Sequence, residues 1–271
     1  KQFENAGLKI EKERVLTYSK LSCPLDCTYC FVDEMTQDQS RGVSYLNDEQ
    51  LDLLKNLPEE IKLIMLGCDT EFFQNKEDSL NVLRKLAILN KDISVITKLP
   101  LSDSFLDEIK SMVDTLEKTD NIFSFSVSVP CLAESTIEKY EPNVPHPMKR
   151  IETLQSAHEK GLYTMLAIRP LLPDATNEEL EEIVKLTKDY CLGYYSGPLY
   201  LKEDKINFFF PGYTGTEKEV QPKWMLEGNT YVPIMRDGQM DFLLQILKKY
   251  DKKMFEGAAD GMQYMRRELK S

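Results

Sequence analysis

Between residues 15 and 201 the chain repeats one pattern: a short apolar, β-branched run followed by a stretch with helical spacing. The strand-like runs are 15–18, 61–66, 93–97, 122–129, 163–168 and 199–201. Helical patterns occupy 48–56, 76–90, 104–116, 147–160 and 177–189, with Leu80, Leu83, Leu86 and Ala87 a clear example of one apolar face. Ser102 or Asp103 offers an N-cap, and Gly161 a C-cap. Apolar strands alternating with helices predict a parallel sheet covered by helices. Six such units fall short of an eight-fold barrel, so the expected fold is α/β, a partial (βα)6 barrel of the TIM type. Pro170 is expected to stop the fifth strand. After Lys202 the pattern changes to an aromatic segment at 207–211, a loop with Gly212, Gly215 and Gly228, and helical stretches at 239–249 and 258–269. Residues 1–202 therefore read as the partial barrel and 203–271 as a C-terminal extension packing against it or covering its open side.

The first strand leads into Cys23-Pro-Leu-Asp-Cys27-Thr-Tyr-Cys30, a C-x3-C-x2-C loop. The other cysteines, Cys68, Cys131 and Cys191, are isolated, and the latter two read as packing residues. The opening residues are polar and charged, with no secretory segment, so a cytoplasmic protein without a disulfide framework is expected. Thiolates are the usual ligands of iron–sulfur clusters. Three of them can hold three irons of a cubane and leave the fourth open to a small chelating molecule. Zinc is the alternative, but a structural zinc site wants a second ligand pair. The only histidines are His146 and His158, and no such pair exists.

This loop, placed after the first strand of a βα barrel, resembles the signature of the radical S-adenosylmethionine (SAM) superfamily. The resemblance implies that Cys23, Cys27 and Cys30 hold a 4Fe–4S cluster whose open iron binds the amino and carboxylate groups of SAM. It implies that one electron cleaves SAM to a 5′-deoxyadenosyl radical, which abstracts hydrogen from a substrate. Tyr29 would then lie near the adenine. Further stretches, together covering roughly residues 16–173, resemble the spore photoproduct lyase-like subgroup: Val95-Ile-Thr-Lys98-Leu-Pro100, Phe123-Ser-Phe-Ser126, Glu141-Pro-Asn-Val-Pro-His-Pro-Met-Lys-Arg150-Ile151 and Ile168-Arg169-Pro170. By that resemblance Lys98 meets the SAM carboxylate, Ser126 lies at the SAM site, and Cys68 returns a hydrogen atom to the product radical.

Physical chemistry agrees with these assignments. All of the segments fall at C-terminal strand ends, where barrel active sites are built. Lys98 supplies an ammonium for a carboxylate. Ser126 and Ser128 alternate with Phe125 and Val127 and so share one side of the sheet. Asp69 or Glu71 can accept from the SAM ammonium. Arg169 sits in an apolar run and calls for an anion: the SAM carboxylate, an anionic substrate or a helix carboxylate. Tyr194, Tyr195, Tyr200 and Tyr213 either pack or line the substrate pocket.

The formal net charge of -11 disfavours nucleic acid as a partner, since phosphate contacts call for a basic surface. No apolar run approaches the roughly 18 residues that span a membrane. The expected protein is a radical SAM enzyme of lyase or oxidoreductase type with an open substrate. It would be served by an electron donor such as flavodoxin or ferredoxin. The alternatives are a spore photoproduct lyase-like DNA repair enzyme, and a non-enzymatic iron–sulfur redox sensor.

Overall fold

The computed structural model describes residues 1–32 and 44–269. A short helix α1 (Gln2–Asn5) leads into β1 (Leu8–Glu11), which pairs antiparallel with β2 (Arg14–Thr17). From β2 the chain enters the predicted alternation. Helix α2 (Asp48–Lys55), β3 (Leu63–Leu66), α3 (Lys76–Ala87), β4 (Asp92–Thr97), α4 (Asp103–Glu117) and β5 (Phe123–Ser128) follow. Helices α5 (Glu134–Tyr140) and α6 (Pro147–Glu159) then precede β6 (Tyr163–Leu171), α7 (Asn177–Thr187) and β7 (Gly193–Leu201). The remaining elements are α8 (Glu203–Phe209), β8 (Val232–Ile234), α9 (Gln239–Lys249), β9 (Lys253–Phe255) and α10 (Ala258–Leu269). Strands β2 to β7 pair in sequence order and in parallel. The sheet stays open between β1 at one end and β8 and β9 at the other, a partial barrel as expected.

Local chemistry sets the helix starts. Asn47 accepts from Gln50 N while the Gln50 side chain accepts from Asn47 N, and Thr176 and Glu179 repeat this capping box at α7. Ser102 caps α4, and Pro147 opens α6 in the position where its missing N–H costs nothing. Strand alternation then divides the core. Ile64, Ile93, Val95, Phe125 and Val127 face the helices, while Leu63, Met165, Ala167 and Tyr195 face inward.

Three features differ from the sequence expectation. Strand β6 runs through Pro170 to Leu171, because a register shift between Ile168 and Leu171 places the proline in a bulge where no ladder donor is needed. Strand β7 starts at Gly193, well before 199. Its glycines and proline hide it in the sequence, but β6, β8 and β9 all pair with it. The aromatic segment at 207–211 begins inside helix α8.

The C-terminal chain packs inside the barrel as well as against it. Ala258, Met262 and Met265 of α10 cluster with Leu63, Ile122, Met165 and Ala167 on the inner face of the sheet. Arg266 pairs with Asp92 at the start of β4 and fixes the depth of the helix. Among the described residues no helix is long and apolar enough to cross a membrane.

Candidate functional site

The inner face above α10 leaves a cavity of about 370 Å³, lined from the strand ends and from the loops that follow them. One of its ends is built by the cysteine loop. The amide of Thr28 donates to Tyr140 O at 3.1 Å and its hydroxyl to Lys139 O at 2.8 Å, tying the loop to α5. Leu25 and Cys27 pack on Val144, and Cys23, Tyr29, Cys30 and Leu99 close around them. Cys23, Cys27 and Cys30 are free thiols and all line the cavity. Burial pushes the Cys27 thiol up and that of Cys30 to about 12. Lys98 Nζ lies 3.6 Å from Cys27 Sγ, and Val32 N donates to Cys30 Sγ at 3.5 Å.

Lys98 and Tyr29 converge on a carboxylate that sequence reasoning left without a role. Glu141 is fully buried. Its Oε1 accepts from Lys98 Nζ at 2.6 Å and from the Tyr29 hydroxyl at 2.7 Å, and its Oε2 accepts from Arg150 at 2.7 Å. Lys98 also donates to the Tyr29 hydroxyl, and Arg150 donates to Ser128 O at 2.8 Å. Burial by itself opposes the Glu141 charge, but Lys98 and Arg150 outweigh it and hold the carboxyl down at about 2. Burial likewise opposes the Lys98 ammonium, and Cys27 and Glu141 reverse the effect and raise it. The signal was present in the sequence as the Glu-Pro and Arg-Ile ends of the 141–151 motif, which this network joins.

The segment after β3 forms the next wall. Gly67 has a φ of +81°, and a Cβ there would stand 2.7 Å from Ile96 O, so the turn requires glycine. Its amide donates to the Tyr45 hydroxyl at 2.7 Å. Cys68 faces the cavity with its Sγ 3.4 Å from Met65 O, and burial raises its thiol to about 12. Glu71 accepts from Thr97 Oγ1, Phe73 N and Lys98 N, and Asp69 from Ser19 Oγ and Lys20 N. Both carboxylates are raised by burial, and both line the cavity while fastening its loops. On β5 the cavity wall is Ser128. Ser126 is fully buried beside Tyr195, and its Oγ makes no hydrogen bond of ordinary geometry.

Aromatic residues build the other end of the cavity. Phe31, Cys68, Tyr200 and Trp224 pack with Leu16 and Tyr18. Trp224 lies 5.5 Å from Phe31 and 5.8 Å from Tyr200 by ring centroid. Arg169 projects from the β6 bulge to this end, its guanidinium 5.6 Å from the Trp224 centroid. Tyr195 and Tyr200 line the cavity, whereas Tyr194 is buried on the helix side against Thr187, and Tyr213 pairs with Glu217 at the surface. Cys131 and Cys191 are buried.

A family model described as the radical SAM superfamily matches residues 21–187. The chain belongs to the radical SAM superfamily. The uncharacterized protein MJ0683 of Methanocaldococcus jannaschii is 24% identical over 205 residues, which span 73% of this chain and 74% of that protein. Among solved structures, a cysteine-to-serine mutant of spore photoproduct lyase superposes with a TM-score of 0.57 at 12% identity, covering 84% of this chain and 71% of the lyase. SuiB of Streptococcus suis, bound to S-adenosylmethionine, gives 0.56 at 10% identity over 93% of this chain and 48% of its own length. At these identities the two likenesses establish the fold.

A 4Fe–4S cluster and SAM are the cofactors of this superfamily and of this chain. The donor set fits them. Three cysteine thiols line one cavity wall, with Lys98 and the Val32 amide placed as donors to sulfur. Among the described residues no three His, Cys, Asp or Glu side chains gather as ligands of a single ion do.

Proposed function

We propose that this chain is an enzyme in which Cys23, Cys27 and Cys30 hold the cluster, and that it uses SAM to start hydrogen abstraction from a substrate in the same cavity. The observation carrying this reading is that the three free thiols, the Lys98 ammonium and the protonated Cys68 thiol line one cavity at the strand ends. Bound together, a 4Fe–4S cluster with one open iron and SAM supply an electron and a 5′-deoxyadenosyl radical.

The chain's own residues provide the rest. Lys98 is kept charged by Glu141 and offers an ammonium to the SAM carboxylate. Tyr29, fixed by Glu141, would lie near the adenine. Asp69 and Glu71 hold the 67–71 turn in place and offer acceptors to the SAM ammonium. Ser126, expected from sequence at the SAM site, backs the Ser128 wall of the cavity, and Arg169, expected on SAM or on an anionic substrate, stands at the aromatic end and is left for the substrate. Cys68 retains its hydrogen because burial raises its thiol to about 12. It can therefore pass a hydrogen atom to a carbon radical on the product, breaking its S–H bond and forming a C–H bond. The sulfur radical left behind returns to a thiol by taking one hydrogen atom from a donor in the cavity; 5′-deoxyadenosine would serve, and SAM would then be a recycled cofactor. We take a ferredoxin or flavodoxin as electron donor, and the cytoplasm as the compartment, on the ground that all six cysteines are free. Residues 203–271 are taken as an extension of the 1–202 barrel.

Anaerobic reconstitution with iron and sulfide, followed by SAM and dithionite, is expected to yield 5′-deoxyadenosine, and Cys27→Ala to abolish it. Absence of 5′-deoxyadenosine from a protein carrying a full cluster refutes the proposal. A second reading, repair of thymine photodimers in DNA, is favoured by the fold likeness to spore photoproduct lyase and opposed by the net charge of -11. Salt-sensitive binding to irradiated DNA would support it, and no binding at low salt would remove it.

A further inference from the structure

The aromatic end of the cavity carries an unused cation. Arg169 crosses Gly197, where a Cβ would stand 3.5 Å from its Nε, and its guanidinium faces Trp224. Among the described residues no carboxylate and no hydrogen-bond acceptor engages that guanidinium. Such groups are normally paired when taken out of water. The cations of the opposite end, Lys98 and Arg150, are both tied to Glu141. Arg14, which lines the same cavity, is tied to Glu11. Arg169 is thus set apart, over the ring of Trp224, which itself packs in one group with Phe31, Tyr200 and Cys68.

We propose that Arg169, Trp224, Tyr200 and Phe31 form the substrate subsite, and that the substrate is a flat aromatic or heteroaromatic ring bearing a carboxylate or phosphate. The aromatic side chains offer faces and edges for stacking, and the guanidinium offers forked donors for the acid. A ring held there lies beside the Cys68 thiol. The cavity of about 370 Å³ sits near the low end of the roughly 300–1,000 Å³ typical of small-molecule sites, which favours a small substrate over a polymer. This inference rests on the proposed reading of the cavity as the reaction chamber.

Trp224 is the single tryptophan of the chain, so its fluorescence reports directly from the subsite. The reconstituted protein, saturated with SAM under anaerobic conditions, is titrated with benzoate and thymidine 5′-monophosphate. Benzamide and thymidine serve as uncharged partners, and succinate as an acid without a ring. A saturable change is expected with benzoate or thymidine 5′-monophosphate, and whichever binds names the acid as carboxylate or phosphate. The uncharged partners should bind roughly tenfold or more weakly, the scale of one lost charge-assisted contact. Arg169→Gln should erase that difference, and Tyr200→Leu should weaken acid and uncharged partner alike. The inference is overturned if neither ring acid gives a saturable change, if uncharged partners or succinate bind as well, or if Arg169→Gln keeps the discrimination. Should that variant not fold, the comparison within the wild-type protein decides alone. Formation of 5′-deoxyadenosine is measured in the same samples. Its presence without probe binding refutes the subsite only, and probe binding without it supports the subsite and refutes the SAM reading.

Discussion

Glu141 concentrates the energetics of the site in one side chain. It neutralises the fully buried Arg150 and the half-buried Lys98. Removing one partner of such a buried group leaves uncompensated charge, at a cost of about 3–5 kcal/mol. Glu141→Gln is therefore expected to lower stability by that order in urea unfolding near neutral pH. The pH dependence follows from the depressed carboxyl. Its contribution is full above the ordinary value of 4.5 and is lost as pH falls through about 2. The gap between wild type and Glu141→Gln should narrow over that window, and a gap independent of pH would refute the charge argument. Cys68 makes a different prediction. Cys68→Ala should fold, form the cluster and still release 5′-deoxyadenosine, because the thiol takes no part in holding SAM. It should fail to complete the product, so that 5′-deoxyadenosine accumulates stoichiometrically with SAM loss in a chromatographic time course. Unchanged product yield would remove Cys68 from the chemistry.

At the scale of elements, α10 decides how closed the barrel is. Gly261 lets this helix lie against β6: a Cβ there would stand 2.4 Å from Met165 Sδ and 3.1 Å from a Phe255 ring carbon. Gly261→Leu is expected to cost about 1–3 kcal/mol by overpacking, read as a shift in the urea midpoint. Gly257→Ala, with nothing within 4 Å of the added Cβ, should leave the midpoint nearly unchanged. Equal effects would mean that contact with Met165 and Phe255 does not limit the packing of this helix. The β6 bulge acts on the same scale. The register shift between Ile168 and Leu171 re-aims Arg169 as the strand leaves its regular ladder.

The whole molecule is an open barrel whose inner face is covered by its own last helix. Leu63, Ile122, Met165 and Ala167 depend on Ala258, Met262 and Met265 for their burial. Ending the chain after Gly257 should expose that surface. The expected product binds the dye ANS and loses its sharp thermal transition while retaining far-ultraviolet helicity. A truncated protein that unfolds cooperatively would show that α10 is dispensable for the barrel. Although the net charge is -11, the cavity lining is balanced: Arg14, Lys98 and Arg169 stand with Asp69, Glu71 and Glu256.

Local pattern determined much of this protein. The alternation of apolar runs and helical faces predicted the parallel strands β2 to β6, because side-chain period and caps are properties of neighbouring residues. The spacing of Cys23, Cys27 and Cys30 pointed to the superfamily for the same reason: one loop carries all three. Tertiary structure alone decided the rest. Strand β7 exists through its neighbours' hydrogen bonds rather than through its own glycines and proline. Glu141 reaches Lys98 across 43 positions of sequence, and Trp224 reaches Phe31 and Arg169 from the C-terminal extension. Those contacts depend on where strand ends and loops meet in space, which no periodicity along the chain encodes.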